Sequence, residues 1–271
     1  MFEVGKGVGG TWYWNRYPGA RCDVESVQYS YQFDTELEQE WTWSEKYSTQ
    51  PEILKYANHV ADRFDLRDNI QFETRVISAE YSEADKLWVL ETDRNEKVSS
   101  RYCVFATGCL SSSNVPKFEG YETFKGLSYH TGRWPHEGVN FSGLRVGVIG
   151  TGSSAIQSIP EIAKEASQLT VFQRTANYTI PARNSELTED YVSSIKADYP
   201  GLRERARNKP AGYDIPLNSQ SVLEVGREDA NIEFQRRWEL GGTQFLGAYG
   251  DLLLNTDANE VDDDFVTSKI R

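Results

Sequence analysis

Apolar residues recur at two periods along this chain of 271 residues, and each change of period marks an element. In Gln50–Phe64, QPEILKYANHVADRF, the residues Ile53, Ala57, Val60 and Phe64 fall at spacings of four, three and four. That spacing predicts an amphipathic helix, with Pro51 and Glu52 where it opens. Three strand-like runs follow, Asn69–Ser82, Lys86–Asp93 and Lys97–Gly108, separated by the polar turns EADK and RNEK. Consecutive hairpins of this kind predict an antiparallel meander. Cys109–Phe124, rich in Ser, Pro and Gly, reads as a connector.

A new unit opens at Leu144. LRVGVIGTGSSAIQSIPEIAKEA is an apolar strand, a glycine turn and a helix, and QLTVFQRT is the next strand. A βαβ unit of this kind implies a parallel sheet. After Thr179–Asn184 the pattern becomes helical: Thr188 caps a segment with Glu189 and Asp190 in its first turn, and Gly226–Gly242 and Glu260–Arg271 also read as helices. The fold class is therefore α/β, with boundaries near residues 140 and 182 and a helical segment over 183–271.

Composition narrows the function. The formal net charge of −12 repels phosphate backbones and anionic lipid, so nucleic acid and membrane surfaces are poor partners, although a local basic pocket is compatible with it. The three cysteines, Cys22, Cys103 and Cys109, lack metal-type spacing and suggest free thiols, no metal and a reducing compartment. No apolar run approaches the roughly 20 residues of a spanning helix, and the opening MFEVGKG has no signal-type apolar region. A cytoplasmic protein is the expectation; oligomeric state leaves no readable signal.

Two motifs carry chemistry. Gly150–Ala155, GTGSSA, stands between a strand and a helix, where glycines permit a tight turn and close approach to a pyrophosphate, and the helix start offers free N–H groups. The plainer reading is a structural turn. The following strand ends in Gln173, Arg174 and Thr175, with no carboxylate to accept from a ribose 2′-hydroxyl. Arginine there favours a 2′-phosphate, hence NADP(H), against the alternative of a solvated surface arginine. Gly9–Asp23, GGTWYWNRYPGARCD, crowds aromatics, arginines and glycines into fifteen residues. Such a stretch is an awkward piece of core or the wall of a site for a flat polar ligand.

That segment matches Gly-x-Trp-x-x-x-x-Tyr-Pro-Gly-x-x-x-Asp, and Phe124–Pro135, FKGLSYHTGRWP, matches Phe-x-Gly-x-x-x-His-x-x-x-Trp-Pro. With Ala106–Gly108 and GTGSSA in the same order, the whole chain resembles the Baeyer–Villiger monooxygenases, closest to the phenylacetone and steroid branch. The resemblance implies two Rossmann-like dinucleotide-binding domains, the FAD one carrying the meander, plus a partial helical insertion. It divides the chain into an FAD-binding domain with linker (1–140), the first half of an NADP-binding domain (141–182) and an incomplete helical subdomain (183–271). The implied activity is insertion of one atom of O2 beside a ketone carbonyl to give an ester or lactone, with FAD and NADPH as cofactors. The ending His130-Thr131…Trp134-Pro135 favours this over the related flavin-containing N- and S-monooxygenases.

Carried onto this sequence, the resemblance assigns Glu3, Thr11, Trp12, Tyr13, Trp14, Asp23, Tyr29 and Val76 to FAD. It assigns Arg21, Cys22 and Asp23 to the nicotinamide side, Gly150, Thr151, Gly152, Ser153, Ser154, Ala155, Ile156 and Gln157 to the NADP pyrophosphate, and Arg174 with Thr175 to its 2′-phosphate. Asp23 is the catalytic candidate, helping to place an arginine that has no counterpart in this chain. Phe124, Gly126, His130 and Trp134 form the domain-link fingerprint, with His130 read chiefly as a hydrogen-bonded hinge residue. The plainer reading of Trp12 and Trp14 is ordinary core. Only two residues precede Glu3, so the resemblance predicts an internal piece of a longer enzyme, one that alone neither retains FAD nor oxidises ketones. The alternative of another class is a non-catalytic fragment that still binds NADP.

Overall fold

The computed structural model describes residues 1–110, 112–175 and 177–270. Eight α-helices and five strands are assigned among them. In chain order the first are α1 (Thr11–Trp14), α2 (Thr35–Glu40), α3 (Gln50–Arg63), β1 (Val76–Ser82), β2 (Leu87–Thr92) and β3 (Lys97–Ser100). There follow β4 (Arg145–Ile149), α4 (Ser153–Ala163), β5 (Gln168–Phe172), α5 (Glu189–Ala197), α6 (Tyr199–Arg207), α7 (Arg227–Leu240) and α8 (Thr256–Ile270). The chain forms two compact units: Met1–Ala20 with Gln50–Val148 and Ser153–Thr170, and Arg21–Thr49 with Ile149–Gly152 and Val171–Arg271.

In the first unit, α3 forms over the expected span. It buries Ile53, Tyr56, Val60 and Ala61, so the inward stripe is completed by Tyr56 and Ala61, with Ala57 and Phe64 half-buried. Strands β1, β2 and β3 pair antiparallel in sequence order, Tyr81 opposite Trp88 and Trp88 opposite Ser100. The third run is shorter than its pattern suggests: β3 ends at Ser100, and Val104 and Phe105 are exposed, at 88% and 58%. An apolar run of that type reads as a strand buried on both faces, and only sheet partners on either side stabilise it. The connector Cys109–Phe124 carries no regular element up to Gly120; Ser111 within it lies outside the described residues.

Strands β4 and β5 lie side by side, joined through α4. Ser167 N–H donates to Leu144 O at one end and Gly150 N–H to Phe172 O at the other, so both strands run the same way. A small core of Trp134, Phe141 and Ile162 lies beneath, with Tyr17, Val146, Val148 and Leu169 against it.

The second unit is mainly helical. Thr188 caps α5 by accepting from Tyr191 N–H, as its sequence position predicts, and the segment starting at Glu260 lies within α8, Arg271 falling outside the described residues. Its core is aromatic: Phe234 on α7 is fully buried and sits 5.4–5.6 Å, centroid to centroid, from Phe245, Tyr249 and Phe265. Gly241 ends α7 with φ 73°, a left-handed turn that glycine adopts without the Cβ penalty.

Candidate nucleotide site

The glycine turn is built for close approach. Gly150 has φ 98°, and a Cβ placed on Gly150 or Gly152 would meet no atom within 4 Å, so the space beside both is open. Helix α4 begins at Ser153 with no acidic residue in its first turn, leaving its N–H groups and positive dipole end without a competing carboxylate. These features fit a pyrophosphate. Thr151 lies on the turn and Ser153–Gln157 on the first two turns of α4.

The end of β5 is tied to this turn inside the second unit. Gly150 N–H donates to Phe172 O at 2.8 Å, and Asn177 Nδ2 donates to Thr151 O at 3.1 Å. Arg174 and Thr175 stand between those two anchors, both exposed, and among the described residues no carboxylate pairs with Arg174. An accessible guanidinium beside a glycine turn suits a phosphate monoester. Asn177 was not singled out from sequence; its signal is only a short polar side chain two residues past the motif.

In the first unit the aromatic segment is not core. Gly9 (φ 118°) and Gly10 (φ 50°) turn the chain into α1, and none of Thr11, Trp12, Tyr13 or Trp14 is buried. Leaving two indoles and a phenol half-covered forgoes several kcal/mol of burial, on the order of 25 cal/mol per Å². The segment nonetheless makes several specific contacts. Gln50 Nε2, buried at the start of α3, donates to Trp12 O; Tyr13 stacks edge-on against Trp14 at 4.9 Å; Arg16 lies over the Tyr13 ring at 5.5 Å and donates twice to Tyr13 O. His136, directly after the second fingerprint, touches both rings, at 5.2 Å from Tyr13 and 6.2 Å from Trp14. Neither Gln50 nor His136 was picked out by pattern, because each acts across a distance in sequence that periodicity does not report.

Glu3 accepts from Gly5 N–H through Oε1 at 2.7 Å, while its backbone bonds Gln71 and Thr74. Val76 opens β1, and the pairing register shifts just after it, between Val76 and Ser78. In the link fingerprint Trp134 is buried, Phe124 and Gly126 are exposed, and His130 bonds at both ring nitrogens: Gly132 N–H donates to Nδ1 at 3.1 Å and Nε2 lies 3.2 Å from Asn114 O. The only arrangement satisfying both is the neutral ring carrying its proton on Nε2.

Arg21, Cys22, Asp23 and Tyr29 belong to the second unit. Arg21 lies 3.5 Å from Glu45, whose Oε2 also accepts from Asn184. Cys22 is buried, and burial pushes its thiol up to about 11, so it is a packed neutral group at physiological pH. Asp23 and Tyr29 are exposed.

Residues 27–235 match the family described as pyridine nucleotide-disulphide oxidoreductase, more than half of the chain. The chain belongs to that family. A Baeyer–Villiger monooxygenase from Pseudooceanicola batsensis is 41% identical over 100% of this chain and 50% of its own length. Among solved structures, oxidized steroid monooxygenase bound to NADP is 54% identical with a TM-score of 0.94, covering 100% of this chain and 52% of that one. OTEMO in complex with FAD and NADP is 41% identical, TM-score 0.94, with coverage of 100% and 52%. The resemblance to Baeyer–Villiger monooxygenases thus extends over the whole chain, which spans about half the length of the relatives it matches. Among the described residues no helix is long and apolar enough to cross a membrane, and no His, Cys, Asp and Glu cluster could hold a metal ion.

Proposed function

We propose that this chain supplies the nucleotide-binding frame of an FAD- and NADPH-dependent monooxygenase that inserts one atom of O2 beside a ketone carbonyl to give an ester or lactone. The observation that carries the reading is the open glycine turn at Gly150–Gly152, anchored through Asn177 next to the exposed Arg174. The family and its NADP-bound and FAD-bound neighbours support it. When bound, NADPH supplies hydride and FAD the oxygen-activating chemistry.

The chain's own residues then bind and orient. The 1–140 part serves FAD, 141–182 begins the NADP domain, and 183–271 belongs to a helical subdomain. Glu3 takes the ribose hydroxyls, Val76 the adenine through its backbone, and Thr11–Trp14 the flat ring, whose apolar faces would cover the half-buried indoles. Tyr29 also contacts FAD. Gly150–Gln157 holds the NADP pyrophosphate, Arg174 and Thr175 the 2′-phosphate. Arg21, Cys22 and Asp23 line the nicotinamide side, Cys22 by packing alone. Asp23, exposed, serves to place and tune the cation that stabilises charge on the reacting oxygen. The fingerprint residues Phe124, Gly126, His130 and Trp134 hold the link between domains. The odd number of cysteines, without metal-type spacing, supports a cytoplasmic setting.

Gly152→Val tests the turn. The new side chain enters the open space where a pyrophosphate would lie, and loss of even one charge-assisted contact of 1.5–3 kcal/mol weakens binding at least about tenfold. Calorimetric titration with NADP⁺ is expected to show that loss with an unchanged melting curve; an unaltered affinity would remove the pyrophosphate assignment.

A further inference from the structure

Three motifs meet at one side chain of the first unit. Tyr17, from the aromatic segment, donates its hydroxyl to Gln157 Oε1 at 2.9 Å, and its ring packs on the core that holds Trp134 and Ile162. Two residues on, Gly19 (φ 75°) approaches the same partner from its backbone side: a Cβ there would stand 2.2 Å from Gln157 O. Gln157 lies in the second turn of α4, the helix that the glycine turn opens. The flavin-side segment therefore grips the nicotinamide-side helix through both the side chain and the carbonyl of one residue.

We propose that Tyr17 and Gln157 form a latch that carries the occupancy of the glycine turn to the segment Gly9–Ala20. The inference rests on the nucleotide reading above and goes beyond it in assigning a coupling to residues that touch neither reacting group. An anion at the start of α4 orders its first two turns. Gln157 is then fixed, and the cost of ordering Tyr17 and the rings before it has already been met. By linkage the effect is reciprocal, so an ordered aromatic segment favours NADP(H) at the turn. Tyr17 is a positioning residue, and Gly19 is what lets the two backbones come close enough for its bond.

Hydrogen–deuterium exchange of the whole chain with and without NADP⁺ tests this. In the unaltered chain NADP⁺ is expected to slow exchange at Thr11–Tyr17 by at least about fivefold, the low end of ordinary coupling. Tyr17→Phe keeps the ring in its core and removes only the hydroxyl. It should retain its melting temperature within a few degrees and lose that response. Gln157→Met removes the acceptor and, with NADP⁺ raised until the turn is saturated so that any weaker binding is made up, should lose it equally, and the double variant should lose no more than either alone. A response that survives in both single variants overturns the latch while leaving the nucleotide reading intact. Failure of the unaltered chain to bind NADP⁺ at all overturns the reading and the latch together.

Discussion

Arg203→Met is expected to destabilise the second unit by roughly 3–5 kcal/mol, the ordinary cost of leaving one member of a buried ion pair unpartnered. Arg203 and Glu38 are each only 5% exposed in their side chains and lie 2.7 Å apart. The guanidinium does more than neutralise that carboxylate. Its Nη1 donates to Gln28 O at 3.3 Å and its Nη2 to Ser30 Oγ at 2.7 Å, while the Tyr199 ring lies under it at 5.1 Å. Methionine fills similar volume but leaves the Glu38 charge, a carbonyl and a hydroxyl without their donor. Urea unfolding followed by tryptophan fluorescence reads the loss. Converting the partner as well, in Glu38→Leu with Arg203→Met, should recover most of it, because a packed apolar pair avoids the desolvation cost. A single variant that loses less than about 1 kcal/mol would show the pair to be solvated, as exposed pairs are. The bonds to Gln28 O and Ser30 Oγ fall on either side of Tyr29, a proposed FAD contact.

Trp134→Ala is expected to cost the first unit roughly 3–5 kcal/mol, the range for deleting a large buried ring. Trp134 is 8% exposed and lies 5.6 Å from Tyr129 and 6.1 Å from Phe141, in the core shared with Ile162 of α4. Trp134→Phe keeps much of the buried area and should lose less than half as much. Exchange protection of β4 and α4 amides is the local readout. Equal losses for the two substitutions would mean that the indole's polar edge, and not its burial, matters there. In this fingerprint the tryptophan is the part that fixes the linker to the fold, and His130 fixes the linker to itself through Asn114 and Gly132.

Elements governed by near neighbours were legible in the sequence. The four–three–four spacing gave α3, polar turns separated β1 from β2 and β2 from β3, and Thr188 capped α5. The glycine turn stood where strand and helix flanked it. What pattern did not report was the choice of distant partners. Glu38 and Arg203 are 165 positions apart, Tyr17 and Gln157 140, and no local period encodes either pair. The same limit explains the short β3, since an apolar run takes strand form only where neighbouring strands complete its hydrogen bonds. The aromatic segment illustrates the converse. Its composition admitted core or ligand wall, and what the structure adds is that α1 buries none of its four residues.

Nucleotide preference is the most direct readout of the proposed 2′-phosphate site. NADPH and NADH titrated into the unaltered chain under identical conditions should differ by roughly 10–150-fold in favour of NADPH, the equivalent of one arginine–phosphate contact of 1.5–3 kcal/mol. Arg174→Ala should bring the two affinities together. Equal binding of both nucleotides by the unaltered chain, or tighter binding of NADH, would contradict the 2′-phosphate site and the NADPH-dependent reading built on it.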